Sequence, residues 1–93
     1  MKRIIYWLFA GTKGGATRAQ VIKALKERPR NANQLSEDLG FDYKTIKHHI
    51  GLLLDNKLIV STGEKYAKLY FLSEDFEEHY NVFEEIWEKF GEK

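Results

Sequence analysis

Residues 42–50, Asp-Tyr-Lys-Thr-Ile-Lys-His-His-Ile, leave few options for the fold of the chain around them. Read as a helix, at about 100° per residue, they place Ile46, Ile50 and the following Leu53 on one side. Lys44, Lys47, His48 and Gly51 fall on the other. One face is suited to a core. The other is cationic, rich in hydrogen-bond donors and low in profile at Gly51, and the DNA major groove is wide enough to admit such a helix. The preceding residues 31–39 read as a second short helix. Asn31 is its expected N-cap, with Gln34 at capping-box spacing. Ala32, Leu35 and Leu39 give its apolar face, and Gly40 suits the left-handed conformation that ends a helix. Asp42 is the expected cap of the next helix, where its charge suits the positive end of the dipole. Two short helices joined by a tight glycine-containing turn make a helix-turn-helix, with the second helix as the reader.

At 93 residues the chain is expected to form one domain over 1–93, with an adequate but modest core. Its aromatic content argues against disorder. There is no cysteine, which excludes disulfides and thiolate metal sites and is compatible with the reducing cytoplasm, the expected location. The net charge of +1 conceals an asymmetry. Residues 1–73 carry thirteen Lys and Arg against six Asp and Glu, whereas residues 74–93 carry two against eight. A basic body with an acidic tail suits a DNA binder whose tail faces away from the phosphates, although Glu-rich solvated helices are also common.

Residues 4–10, Ile-Ile-Tyr-Trp-Leu-Phe-Ala, form an apolar run behind Lys2 and Arg3. The run is too short to span a membrane, which needs about 20 apolar residues, and it lacks a convincing export signal. A short buried helix over 1–12 is the expectation, and a strand stays open because periodicity cannot decide so short a run. Gly11–Gly15 is a connector. Its Gly-Thr-Lys-Gly-Gly segment lacks the spacing of a phosphate-binding P-loop. Thr17, with Gln20 three residues on, is the expected cap of a helix that carries Val21, Ile22 and Leu25 inward and stops near Arg28 before Pro29. Residues 17–56 therefore read as a three-helix core.

Residues 57–73 read as a hairpin. Leu58–Thr62 is one strand, Gly63-Glu64-Lys65 the turn and Tyr66–Leu72 the returning strand. A hairpin directly after a helix-turn-helix is the wing of a winged-helix domain. Lys65, Tyr66 and Lys68 at its tip are candidates for phosphates or an adjacent minor groove; packing of Tyr66 on the sheet is the competing possibility. Residues 74–90 read as one helix capped by Ser73, with Glu74 and Asp75 in its first turn. Phe76, Tyr80, Phe83, Trp87 and Phe90 are spaced as a heptad seam. So many large apolar residues need cover, from residues 4–10, from a second subunit, or from both. The expected dimer interface is Ile4, Trp7, Leu8, Phe76, Tyr80, Phe83, Trp87 and Phe90.

The order of helices, reader, wing and terminal helix resembles the ArsR-like winged-helix regulators. The segments 30–39, 42–50, Gly-Gly-Ala-Thr-Arg (14–18) and Gly-Glu-Lys-Tyr-Ala-Lys-Leu-Tyr-Phe-Leu (63–72) are similar to small archaeal members. The resemblance implies that the reader helix enters the major groove, that the wing touches backbone or minor groove, and that terminal helices pair two protomers. It places Tyr43, Lys44, Thr45, Lys47 and His48 in the DNA-contacting stretch. Metal-sensing members use cysteines or a carboxylate–histidine set on the terminal helix, and this chain has no Cys and only His79 there. His48 and His49 point about 100° apart on a helix and do not easily share a metal. His48 is expected to face DNA and His49 to be half-buried.

The expected fold is mainly α with a small β-hairpin, a winged helix-turn-helix with N- and C-terminal helices for dimerisation. The expected function is sequence-specific binding of double-stranded DNA by a homodimeric transcription regulator. No membrane span, cofactor, metal site or small-molecule effector is evident. The alternative is a protein-interaction winged helix, which has no need of a cationic face at 44–48. No nucleophile–base pair or paired-carboxylate pocket suggests an enzyme.

Overall fold

The computed structural model describes residues 1–63 and 68–91. Among the described residues, six helices and two paired strands follow in the order α1 (Lys2–Phe9), α2 (Gly15–Glu27), α3 (Ala32–Leu39), α4 (Tyr43–Asp55), β1 (Ile59–Thr62), β2 (Leu69–Leu72), α5 (Glu74–Glu78) and α6 (Tyr80–Phe90). The strands pair antiparallel, with Ile59 opposite Leu72 and Thr62 opposite Leu69. The fold is a winged helix: mainly helical, with a two-stranded wing.

The helix-turn-helix forms for the reasons its residues suggest. The Asn31 side chain accepts from the Gln34 amide at 2.7 Å, and the Gln34 side chain accepts from the Asn31 amide at 2.8 Å, a complete capping box. Gly40 closes α3 at φ 77, ψ 23, the left-handed region where a Cβ is disfavoured. The Ser36 hydroxyl donates to the Phe41 carbonyl and ties the turn back to α3. Asp42 sits at the N-cap of α4 and its carboxylate accepts from the Thr45 hydroxyl. Ile46, Ile50 and Leu53 are buried, so the inward face of α4 is the one its apolar spacing indicates.

The apolar run at 4–10 is helical, the first of the two readings open to it. Other expectations need correction. α2 begins at Gly15, not after Thr17. Gly14 caps α2 with φ 91, and Gly15 lies so close to the Phe9 carbonyl that an added Cβ would stand 2.3 Å from that oxygen. The two glycines therefore set the start of the helix, and Thr17 falls within its first turn. The terminal helix is broken in two at His79, whose φ of −107 and ψ of 13 are not helical. Its ring Nδ1 donates to the Asp75 carbonyl at 2.8 Å, and its amide turns back to Phe76. The break lets Phe76, Tyr80 and Phe83 converge instead of forming one continuous seam. Their ring centroids lie 5.3–6.1 Å apart, and Phe83 meets Phe9 edge-on at 4.7 Å.

That cluster joins α1 and α6 to the core. Ile5, Leu8 and Phe9 of α1 are buried with Val21, Ile22, Leu25, Leu35, Leu58, Phe76 and Phe83. Leu8, Phe76 and Phe83 are fully covered by the single chain. They add no area to a subunit interface, which corrects their expected place in one. The physical reason is the size of the domain: a core this small takes in whatever large apolar side chains lie nearest.

Two glycine substitutions test this arrangement in opposite directions. Gly15→Ala drives a methyl into the Phe9 carbonyl and should destabilise the protein by about 2 kcal/mol or more. Gly51→Ala places a methyl in open space on α4 and should stabilise it by up to about 1 kcal/mol. Urea unfolding measures both.

Candidate nucleic-acid interface

The outer side of α4 carries two adjacent stripes. Tyr43 and Lys47, four residues apart, lie toward the start of α3 and toward β2. With Asn31, Ala32, Asn33, Lys68 and Tyr70 they line a polar groove of about 320 Å³. Lys44, His48 and Gly51 form the second stripe, and nothing within 4 Å would meet a Cβ at Gly51. Tyr43, Lys44, Lys47, His48 and Lys68 are exposed, Tyr43 to 49%. Among the described residues, none of the three lysines has an acidic partner; the ion pairs found are Lys26–Glu77, Arg30–Glu27 and Arg30–Asp38. Thr45 is half-buried and engaged with Asp42. That hydroxyl, foremost, holds the Asp42 carboxyl below its ordinary pKa. Lys65 and Tyr66 lie outside the described residues.

Two buried arginines, neither of them a candidate from the sequence, hold this face in place. Arg18 is 2% exposed. Its Nε donates to the Leu8 carbonyl at 2.8 Å, and Nη2 donates to the Thr12 hydroxyl at 2.7 Å and the Lys13 carbonyl at 3.0 Å. Its Nη1 lies 3.1 Å from His49 Nδ1. A guanidinium only donates, so Nδ1 is the acceptor and the neutral ring carries its proton on Nε2. The contact ties α4 to the end of α1 and the connector. Arg30 is 7% exposed. Its backbone exchanges hydrogen bonds with that of Tyr70, at 3.3 and 2.9 Å, in a bridge beside the wing. Its guanidinium reaches Asp38 at 3.0 Å and Glu27 at 3.3 Å and donates to the Ala24 carbonyl. Arg30 therefore fixes α2, α3 and β2 around the groove.

A signal for Arg18 was present in the sequence. It stands four residues before Ile22 and seven before Leu25, on the inward stripe of α2. His49 is more enclosed than the expected half-burial, at 7% exposure, while His48 projects outward. Burial, then the charges of Arg18 and His48, lower the His49 pKa below its ordinary 6.5. Among the described residues, no helix is long and apolar enough to cross a membrane, and no cluster of His, Cys, Asp and Glu could hold a metal ion.

The lowered His49 pKa gives a stability prediction with a defined sign. Below about pH 6.5 the unfolded histidine takes up a proton that the folded one still refuses. The unfolded state then binds more protons, so this contribution is fully present above pH 6.5 and is lost as the pH falls below it. His49→Gln keeps an acceptor for Arg18 but removes the titration. Urea unfolding at pH 7.5 and pH 5 should show a smaller acid-induced loss in the variant than in the parent.

Known structures share the architecture. HlyU from Vibrio cholerae N16961 superposes with a TM-score of 0.69 at 16% identity, covering 92% of this chain and 91% of HlyU. Rv0081 from M. tuberculosis gives 0.65 at 20% identity, covering 77% and 74% of the two chains. The adhesin competence repressor AdcR from Streptococcus pyogenes gives 0.59 at 16% identity, covering 81% and 66%. No curated protein matches the chain by sequence. Residues 9–69 match the family model of the N-terminal domain of the methanogenesis regulatory protein FilR1, a span from the end of α1 into β2 that holds the whole helix-turn-helix. The chain belongs to the FilR1 N-terminal domain family.

Proposed function

We propose that the chain is a transcription regulator that binds duplex DNA sequence-specifically as a homodimer, through the helix at 42–56 and the wing at 63–68. The observation that carries this reading is the outer side of α4, where exposed Lys44, Lys47 and His48 have no acidic partner among the described residues. A folded domain gains nothing for its own stability by clustering cations. A phosphate backbone rewards them through counterion release. Membership of a family built on a regulator, the name repressor carried by one structural neighbour, and the ArsR-like resemblance support the same reading.

The aromatic surface of α1 and α6 supports the dimer. Tyr6, Trp7 and Phe90 are 44%, 47% and 56% exposed, and Tyr6 and Phe90 stack edge to face at 5.4 Å. Ile4, Tyr80 and Trp87 are half-buried beside them. Lys2, Arg3, Tyr6, Trp7, Ile86 and Phe90 line a largely apolar groove here. A two-fold pairing of α1 and α6 covers this surface and sets two reader helices toward successive major grooves, about 34–36 Å apart. It also keeps the acidic residues of α5 and α6 off the DNA. A module that only binds proteins also uses an aromatic surface but gains nothing from the cations of α4.

Selection of bound sites from a random duplex library, read against ionic strength, tests the proposal. The expected product is two related half-sites about 10–10.5 bp apart, centre to centre. No enrichment over random sequence refutes specific binding. Trp7→Glu with Phe90→Glu, two exposed positions, should yield a folded monomer with weakened affinity for the selected site. Sedimentation equilibrium decides this: a parent that is already monomeric at tens of micromolar while binding intact sites refutes the dimer.

A further inference from the structure

The two stripes of α4 face different surroundings. The Lys44–His48–Gly51 stripe stands clear of the protein, as the empty space over Gly51 shows. The Tyr43–Lys47 stripe is one wall of a notch, with Asn31, Ala32 and Asn33 of the α3 start as the second wall and Lys68 and Tyr70 as the third. Base edges lie at the floor of a major groove about 8.5 Å deep, where only a projecting stripe can reach them. A concave notch reaches only what protrudes from the duplex, which is the phosphate backbone.

We propose that this notch is a seat for a single DNA phosphodiester, held between Lys47 of the reader helix and Lys68 of the wing, with Asn33 and Tyr43 lining it. The reading of bases falls to Lys44 and His48. This division rests on the proposed DNA-binding function and deepens it.

Several features fit a phosphate. Lys47 and Lys68 come from different elements and are both exposed without an acidic partner among the described residues. Lysine serves a phosphate as a mobile point charge. The Asn33 amide and the Tyr43 hydroxyl are neutral groups able to donate to phosphate oxygens. The Arg30–Tyr70 bridge fixes the distance between the α3 wall and the β2 wall, at 3.3 and 2.9 Å across its two hydrogen bonds. The Asn31 Oδ1 is committed to the Gln34 amide, which turns the side-chain acceptor of Asn31 to the helix start.

The test is a set of duplexes carrying the selected site, each with one phosphate replaced by a neutral methylphosphonate, bound by the intact protein. The parent should lose affinity sharply at one linkage in each half-site. Lys47→Ala with Lys68→Ala should bind all sequences more weakly, with unchanged base preference and a salt slope lower by about one ion per lysine. It should no longer respond to methylphosphonate at that linkage. Asn33→Asp, which puts a carboxylate in the notch, should weaken all sequences in the same way. Lys44→Ala or His48→Ala should instead relax preference at particular positions. Circular dichroism melts check that these exposed substitutions leave the fold intact. A double variant that changes base preference while keeping the parent's methylphosphonate profile overturns the notch assignment and leaves DNA binding standing. A parent that selects no duplex overturns both.

Discussion

The structure depends on a buried guanidinium with no carboxylate against it. Arg18 is all but inaccessible, and its partners are two backbone carbonyls, a hydroxyl and a neutral histidine ring. Taking a charge out of water without an opposite charge is costly unless hydrogen bonds replace the water it loses. Here α1 and the connector contribute oxygens and α4 contributes a ring nitrogen, so the cation is satisfied only when these segments are correctly assembled. Arg18 thus acts as a specificity device in the core. It fixes how α1 and the connector sit against α4, although hydrophobic burial supplies most of the stability.

The two sides of the domain follow from that arrangement. α6 packs chiefly on α1, whereas α4 packs on α3, α2 and β1. The aromatic surface of α1 and α6 and the unpaired lysines of α4 therefore stand on different sets of packed helices. The acidic terminal helices are partly offset by cations of the body: Lys26 pairs with Glu77 and lies over the Tyr80 ring, Lys23 lies over Trp87, and Lys2 and Arg3 line the groove beside Phe90. His49 lies at the junction: it belongs to α4, yet its ring is part of the Arg18 network.

Much of the fold was legible because it is written in local chemistry. The capping box at Asn31 and Gln34, the left-handed Gly40, the cap at Ser73 and the inward spacing of Ile46, Ile50 and Leu53 all depend on residues within a turn or two of each other. The sequence also marks which residues of α4 are exposed, because polar residues opposite an apolar stripe must face outward. What was not legible depends on distant contacts. The start of α2 is set by the approach of Gly15 to Phe9, which no capping pattern reveals. The break at His79 is an exception: its ring bonds back to the Asp75 carbonyl only four residues earlier, but a histidine within an apolar heptad pattern does not mark a break. Phe76 and Phe83 could be recognised as needing cover, but only the packed chain shows that its own core provides it. The notch is likewise a tertiary object, made of residues 31–33, 43, 47, 68 and 70.

In the proposed function α4, with the start of α3 and the wing, is the surface that meets DNA. Titration of the isotopically labelled protein with duplex, followed by amide NMR shifts, locates that surface. The largest changes are expected at residues 43–51, at 32–33 and at 68–70, falling as salt is raised, with α6 little affected. Changes concentrated on α1 and α6, or none at low salt, would contradict it.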